Sequence, residues 1–236
     1  MNNLVKDNWN ESDLNDLYNL LVNLGNPEKV DWTRNIVNTK MKLLAINSPK
    51  LREISKVIYK GNYLSFLDLM PVKYYECTII EAYIISKIKD FKVQKKYILK
   101  LAKYIDNWST VDTLKYHIKN NELNYLDFSF TLLKHKKPFY RRIGVRILFS
   151  FTNSPVYFNK VFELMDSLYA ENDYYVNMAN AWLLCEMFIK NRDETLNYLK
   201  HHKLNKFTIN KGISKCTDSY RVTDDDKRLL KSFKVK

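Results

Sequence analysis

Four residues of this chain have side chains and spacing that suit one kind of chemistry: Trp108 and Asp112 in N-W-S-T-V-D, Arg142 in F-Y-R-R, and Trp182 in N-A-W-L-L-C-E. Trp108 and Asp112 are one helical turn apart, so an indole and a carboxylate flank the same small volume. The π face of a tryptophan attracts a cation, a carboxylate stabilises developing positive charge, and a guanidinium pairs with phosphate. Together they suit a cationic group attached to DNA. Singly, each has a plainer use. A tryptophan at a helix start commonly packs, an aspartate in a first turn commonly faces the helix dipole, and Trp182 falls on an apolar stripe.

The elements that must position these residues form a repeat. F-L-D-L-M-P-V-K-Y-Y (66–75), F-S-F-T-L-L-K-H-K-K-P-F-Y (128–140) and F-E-L-M-D-S-L-Y-A-E-N-D-Y-Y (162–175) each read as an apolar helix end, a polar corner and an aromatic helix start. The corners fall at Tyr74, Trp108, Phe139 and Tyr174, a period of roughly 31 to 35 residues that suits a pair of antiparallel helices. The expected fold is all-α, a HEAT-like α-α superhelix: a C-shaped solenoid of helix pairs forming one domain over residues 1–236. In such a solenoid the second helix of each pair lines the concave face, and the four residues belong to the first or second turn of those helices.

Local signals agree. Residues 11–24 read as an amphipathic helix ended by Gly25, and N-P-E-K opens another at about 26–29. The polar, Asn-rich stretch 33–40 leaves open whether a stable helix forms there. The segment 108–118 turns Val111, Leu114 and Ile118 inward, with Asn107 or Ser109 as N-cap. Along 173–189, Tyr175, Met178, Trp182, Cys185 and Ile189 mark the face expected to be buried. A further helix pair is expected in 191–213 and a closing helix in 224–234, capped by Thr223 or Asp224.

Composition narrows the partners. With 4 Gly and 5 Pro the chain has little turn chemistry for a β or doubly wound design, and its 46% hydrophobic content is enough for a sizeable core. A net charge of +13 attracts polyanions, nucleic acid first. The plainer reading is a composition biased toward Lys, Asn, Tyr and Ile as the whole cause of that charge. A membrane is not expected as a partner, because the basic residues are not gathered beside an apolar stripe and no run approaches the length of a span. The start M-N-N-L-V-K-D lacks an apolar signal region, so a cytoplasmic protein is expected. Cys77, Cys185 and Cys216 are odd in number and widely separated, which argues for reduced thiols over a disulfide framework or a metal site.

The motifs resemble the AlkD-like DNA alkylation repair family, HEAT-like repeat DNA glycosylases acting on N3- and N7-alkylated purines. The likeness runs from N-P-E-K near residue 26 to S-Y-R-V-T-D-D-D-K near 227. Its specific part is W-x-x-x-D at 108–112, the Arg ending F-Y-R-R at 142, and A-W-L-L at 181–184. It implies that Trp108, Asp112 and Trp182 surround the lesion and act in catalysis, and that Arg142 holds the DNA backbone. Arg141, Arg146 and Lys137 near the same corner, with Lys211 and Lys215 in F-T-I-N-K-G-I-S-K and Arg221 in S-Y-R-V, complete the expected DNA-binding set. The C-terminal motifs and the polar 33–40 stretch look closer to a branch in which an N-terminal helix closing the lesion cleft is reduced.

The resulting expectation is a monomeric DNA repair protein that grips duplex DNA without cofactor, metal or obligate protein partner, and hydrolyses the N-glycosidic bond of a cationic purine. One alternative is a non-catalytic DNA-binding homologue that recognises damaged or branched DNA. A HEAT-like protein scaffold with incidental charge is the remaining one.

Overall fold

The computed structural model describes residues 2–236, and among them it contains fourteen α-helices, four 3-10 turns and no strand. They form two compact units, one ending at His117 and one running from Ile118 to Lys236. The first holds α1 (Glu11–Leu24), α2 (Val30–Val37), α3 (Ser48–Ile58), α4 (Tyr63–Leu69), α5 (Tyr75–Ile85), α6 (Phe91–Ala102) and α7 (Trp108–Thr113). The second holds α8 (Glu122–Leu133), α9 (Pro138–Leu148), α10 (Phe158–Asp166), α11 (Tyr174–Lys190), α12 (Arg192–Leu199), α13 (Lys206–Asp218) and α14 (Asp224–Lys231). The starts of α5, α7, α9 and α11 fall within one residue of the four corners read from the sequence, and α13 continues the series.

Asparagines start many of these helices. Asn10, Asn47, Asn62, Asn107 and Asn205 each accept a backbone N–H of the first turn, as do Asp90, Asp173 and Thr223. Each such cap satisfies a donor that the helix itself leaves open, and is worth about 1 kcal/mol. Gly25 ends α1 as expected, but for a different reason. Its φ of −62° suits any residue, whereas a Cβ there would meet the Leu44 and Val22 carbonyl oxygens at 3.1 and 3.2 Å. Close approach of the chain selects glycine here.

Each unit is organised around one central helix, nearly all buried in the first and buried on most of its surface in the second. In the first, α5 packs against α3, α6 and α7, and every residue from Tyr75 to Ala82 is buried. In the second, α11 packs against α9, α12 and α13. A helix covered on all sides has no apolar stripe to betray it. Each Leu or Ile enclosed in this way contributes about 1.5–3 kcal/mol.

One local question left open by the sequence is settled and two expectations are corrected. The 33–40 stretch is helical as far as Val37, and α2 ends where Asn38 turns left-handed with φ 55°. The following chain is held by side chains: Arg34 Nη1 donates to the carbonyls of Thr39 and Met41, both at 3.1 Å, and Glu76 accepts the Leu44 N–H at 3.0 Å. The helix expected over 108–118 stops at Thr113, leaving Ile118 outside it and half-buried. On α11 the buried face is Val176, Ala179, Asn180, Leu183, Leu184 and Met187, whereas Tyr175, Met178, Trp182 and Ile189 are half-exposed. Of the stripe read from the sequence, Cys185 alone is buried.

Candidate functional site in two tryptophan turns

The turn that carries Trp108 and Asp112 is built from polar side chains. Six residues do not make a stable helix in water, so α7 depends on its surroundings. Buried Asn107 caps it by accepting the Thr110 N–H at 2.9 Å, and donates to Asp106 at 3.1 Å. Asp106 in turn accepts from the Thr39 hydroxyl at 2.6 Å and the Lys40 N–H at 2.7 Å. The helix is fastened to α5 by hydroxyls: Tyr75 donates to Ser109 at 2.8 Å, and Thr78 and Thr110 share a bond of 2.8 Å. Beyond Thr113 the chain turns extended, and Ser86 and Gln94 take over its hydrogen bonds. Ser86 accepts the Lys115 N–H at 2.9 Å, and Gln94 donates to the Lys115 carbonyl at 3.1 Å.

This scaffold leaves Trp108 and Asp112 half-buried on one turn. The Trp108 indole N–H donates to the Ile36 carbonyl in the last turn of α2 at 3.1 Å, a contact that fixes the ring and joins α2 to α7. On α2, Trp32 and Ile36 stand one turn apart, 66% and 46% exposed. Sequence reasoning gave Trp32 no role. Nothing in V-D-W-T-R-N distinguishes an exposed tryptophan from a packed one.

The second unit contains Arg142, Arg146 and Trp182. Arg142 and Arg146 are 5% and 8% exposed, so two of the three guanidiniums expected to track phosphates here are enclosed. Arg142 donates to the Tyr175 carbonyl in the first turn of α11. Trp182 lies in the third turn of α11, deeper than the first or second turn assigned from the repeat. Its ring meets Phe149 edge-on at 4.9 Å, and the Arg146 guanidinium lies over it at 4.7 Å.

One turn after Trp182 stands Glu186, in the same spacing as Trp108 and Asp112. Burial, the largest influence on its carboxyl, raises the pKa, but Arg221 and then Trp182 outweigh it and hold the group below its usual value. Arg221 makes a two-pronged pair with Glu186, at 2.5 and 3.3 Å. Glu186 was legible in N-A-W-L-L-C-E, though the sequence reading assigned it no part.

The remaining basic residues divide into engaged and exposed groups. Arg141 is a corner brace: it pairs with Glu171 at 2.5 and 2.9 Å, and donates to the carbonyls of His135 and Lys136, both at 2.8 Å. Lys137 and Lys211 are exposed, and Lys215 is half-buried in the last turn of α13. Cys77, Cys185 and Cys216 are buried free thiols. Among the described residues no cluster of three or more His, Cys, Asp or Glu is placed to hold a metal ion, and no helix is long and apolar enough to cross a membrane.

Repeated helix pairs with a tryptophan-carboxylate turn on a strongly basic chain define a class, the all-α helical-repeat proteins that handle DNA. The sequence model of one family, described as DNA alkylation repair enzyme, matches residues 17–216, and the chain belongs to that family. Its role is in DNA repair. No curated protein and no solved structure matches the chain.

Proposed function

We propose that the protein is an alkylpurine DNA glycosylase acting as a monomer on duplex DNA, with Trp108 and Asp112 as its catalytic residues. The observation that carries this reading is the α7 turn: an indole and a carboxylate one helical turn apart, both half-buried, on a helix held by Asn107, Ser109 and Thr110. A purine alkylated at N3 or N7 is already cationic, so its glycosidic bond breaks without an acid. The bonding pair leaves with the base, which becomes neutral, and the sugar becomes an oxocarbenium ion. Trp108 offers its π face to the cationic base, a contact worth about 0.5–2 kcal/mol. Asp112 stabilises the charge as it moves to the sugar and positions the water that adds to C1′, which releases a proton to solvent.

The DNA-binding part of the reading rests on charge. Exposed Lys137 and Lys211, with Lys215 and Arg221, supply phosphate contacts; Arg141 acts by holding the corner from which Lys137 projects, and Arg142 by holding the start of α11. The test is release of free base from duplex DNA containing 7-methylguanine, at single turnover with excess protein. Release that Asp112→Asn abolishes supports the reading, and equal release by that variant overturns it.

A non-catalytic homologue that binds damaged or branched DNA is the second reading, favoured by one observation. The Trp182 face is covered by the protein's own Arg146. Salt-sensitive binding to the same duplex without base release is its expected signature.

A further inference from the structure

The aromatic residues that open α9, α11 and α13 form a continuous row. Phe139 in the first turn of α9 lies 5.7 Å from Tyr175, Tyr175 lies 5.3 Å from Tyr174, and Tyr174 lies 5.9 Å from Phe207 in the first turn of α13. The row runs out into solvent, with Tyr174 55% and Phe207 41% exposed. Phe207 and Lys206 line two clefts, one of about 370 Å³ shared with Tyr174 and one of about 490 Å³ shared with Lys211. Each has the size of a small-ligand site. The other polar groups here are already engaged. Glu171 pairs with Arg141, Asp173 caps α11, and the Asn177 side-chain oxygen accepts from Asn205 and from the Thr208 hydroxyl, both at 2.9 Å. Asn210 holds the backbone of Val235 through both ends of its amide. What the clefts offer a ligand is two π faces and the ammonium groups of exposed Lys206 and Lys211.

We propose that Tyr174 and Phe207 are a stacking platform for unpaired bases of a DNA strand, with Lys206 and Lys211 on its phosphates. A π face accepts any base and an ammonium neutralises the adjoining phosphate, so a single strand is held without regard to sequence. Two clefts that share one ring give room for successive bases. Charge selects this occupant: an apolar peptide would use the rings and leave two ammonium groups unmatched, whereas a nucleotide uses both. The proposal rests on the reading of the chain as a DNA binder and deepens it, assigning to the second unit a strand that has left the duplex, as at a gap, a tail or a junction. It makes no use of base release.

The experiment compares the affinity of the full chain for three probes: a blunt DNA duplex, the same duplex with a single-stranded thymidine tail, and one with an abasic tail of equal length, which keeps the phosphates and lacks the bases. The thymidine tail is expected to tighten binding by about 10-fold, and the abasic tail by much less. Tyr174→Leu combined with Phe207→Leu keeps apolar bulk without the π faces; it should remove that gain and leave blunt-duplex affinity unchanged. Phe207→Tyr should keep the gain. Lys206→Ala combined with Lys211→Ala should make binding of the tail less sensitive to salt. An abasic tail that tightens binding as much as the thymidine tail overturns the proposal, as does a folded leucine variant that retains the gain. A native chain that self-associates, beside a leucine variant that is monomeric in sedimentation, would assign the rings to a second copy and overturn it too. Blunt-duplex binding with no gain from a tail overturns this proposal alone, whereas binding to none of the three probes overturns the DNA-binding reading with it.

Discussion

The turn at Trp108–Asp112 and the turn at Trp182–Glu186 share residue types and spacing, yet they are built in opposite ways. The first is a six-residue helix held by hydroxyls and amides from α5 and from the chain at 39–40. The second lies in the middle of a seventeen-residue helix, on its half-exposed side. Among the described residues the Trp108 ring stacks on no aromatic and faces no cation, whereas Trp182 meets Phe149 and carries Arg146. Glu186 is joined to Arg221. Identical local spacing therefore leaves one indole anchored through its N–H and sets the other against a neighbouring ring and a guanidinium. What distinguishes them is the helix that packs alongside.

The largest effect expected from this contrast is on catalysis. Asp112→Asn should slow base release by about 100-fold or more, the cost of removing a carboxylate aimed at developing charge, while Glu186→Gln should slow it only a few-fold. Equal losses in the two variants would erase the distinction. Stability should show the reverse order. Trp182→Ala is expected to cost about 2–4 kcal/mol in urea unfolding, because it empties the contact with Phe149 and Arg146, and Trp108→Ala about 1 kcal/mol.

The two central helices differ in polarity as well, which gives a pH test. Glu81 on α5 is fully buried, and neither carboxyl oxygen has a hydrogen-bond partner. Burial pushes its pKa well above the usual 4.5, with Lys100 opposing weakly. Glu76 is raised in the same direction, again chiefly by burial. A carboxyl kept protonated by the fold costs nothing below the unfolded value. As pH climbs past it, the unfolded chain ionises and gains, so stability should fall steadily from about pH 5 toward alkaline pH. Glu81→Met should flatten that slope in denaturation at pH 5, 7 and 8.5; an unchanged slope would mean that Glu81 is not its source. The smallest effect is that of the cap on α7. Asn107→Ala should lower stability by about 1 kcal/mol, and should reduce base release more than a cap on α13, Asn205→Ala, costing the same.

Much of this architecture was legible before any coordinates. The corners at Tyr74, Trp108, Phe139 and Tyr174 mark real helix starts because aromatic entry residues and polar turns recur with the helix pair. The α1 boundary at Gly25, the Asn107 and Thr223 caps and the closing helix were readable for the same local reasons. The face of α11 was misread because residues stepping by three and four are apolar on both of its sides, and periodicity cannot rank two apolar faces. The stretch 33–40 was left open because its polarity reflects an exposed helix and a tethered strap; the tethers, Asp106 and Glu76, lie far off in sequence.

The sequence by itself determined that the chain is all-α, that its helices pair in a repeat, that the family is that of DNA alkylation repair enzymes, and that a tryptophan and an aspartate share one turn at 108–112. Those are consequences of local spacing, capping and composition, which act over a few residues. Tertiary structure alone decided that Arg146 covers Trp182, that Arg141 braces Glu171 instead of facing solvent, and that Trp108 is anchored through its N–H to Ile36. Each depends on which side chain of a distant helix arrives first at a π face, a carboxylate or a backbone carbonyl. A guanidinium taken out of water goes to the nearest partner that compensates its charge, and sequence spacing does not encode that choice.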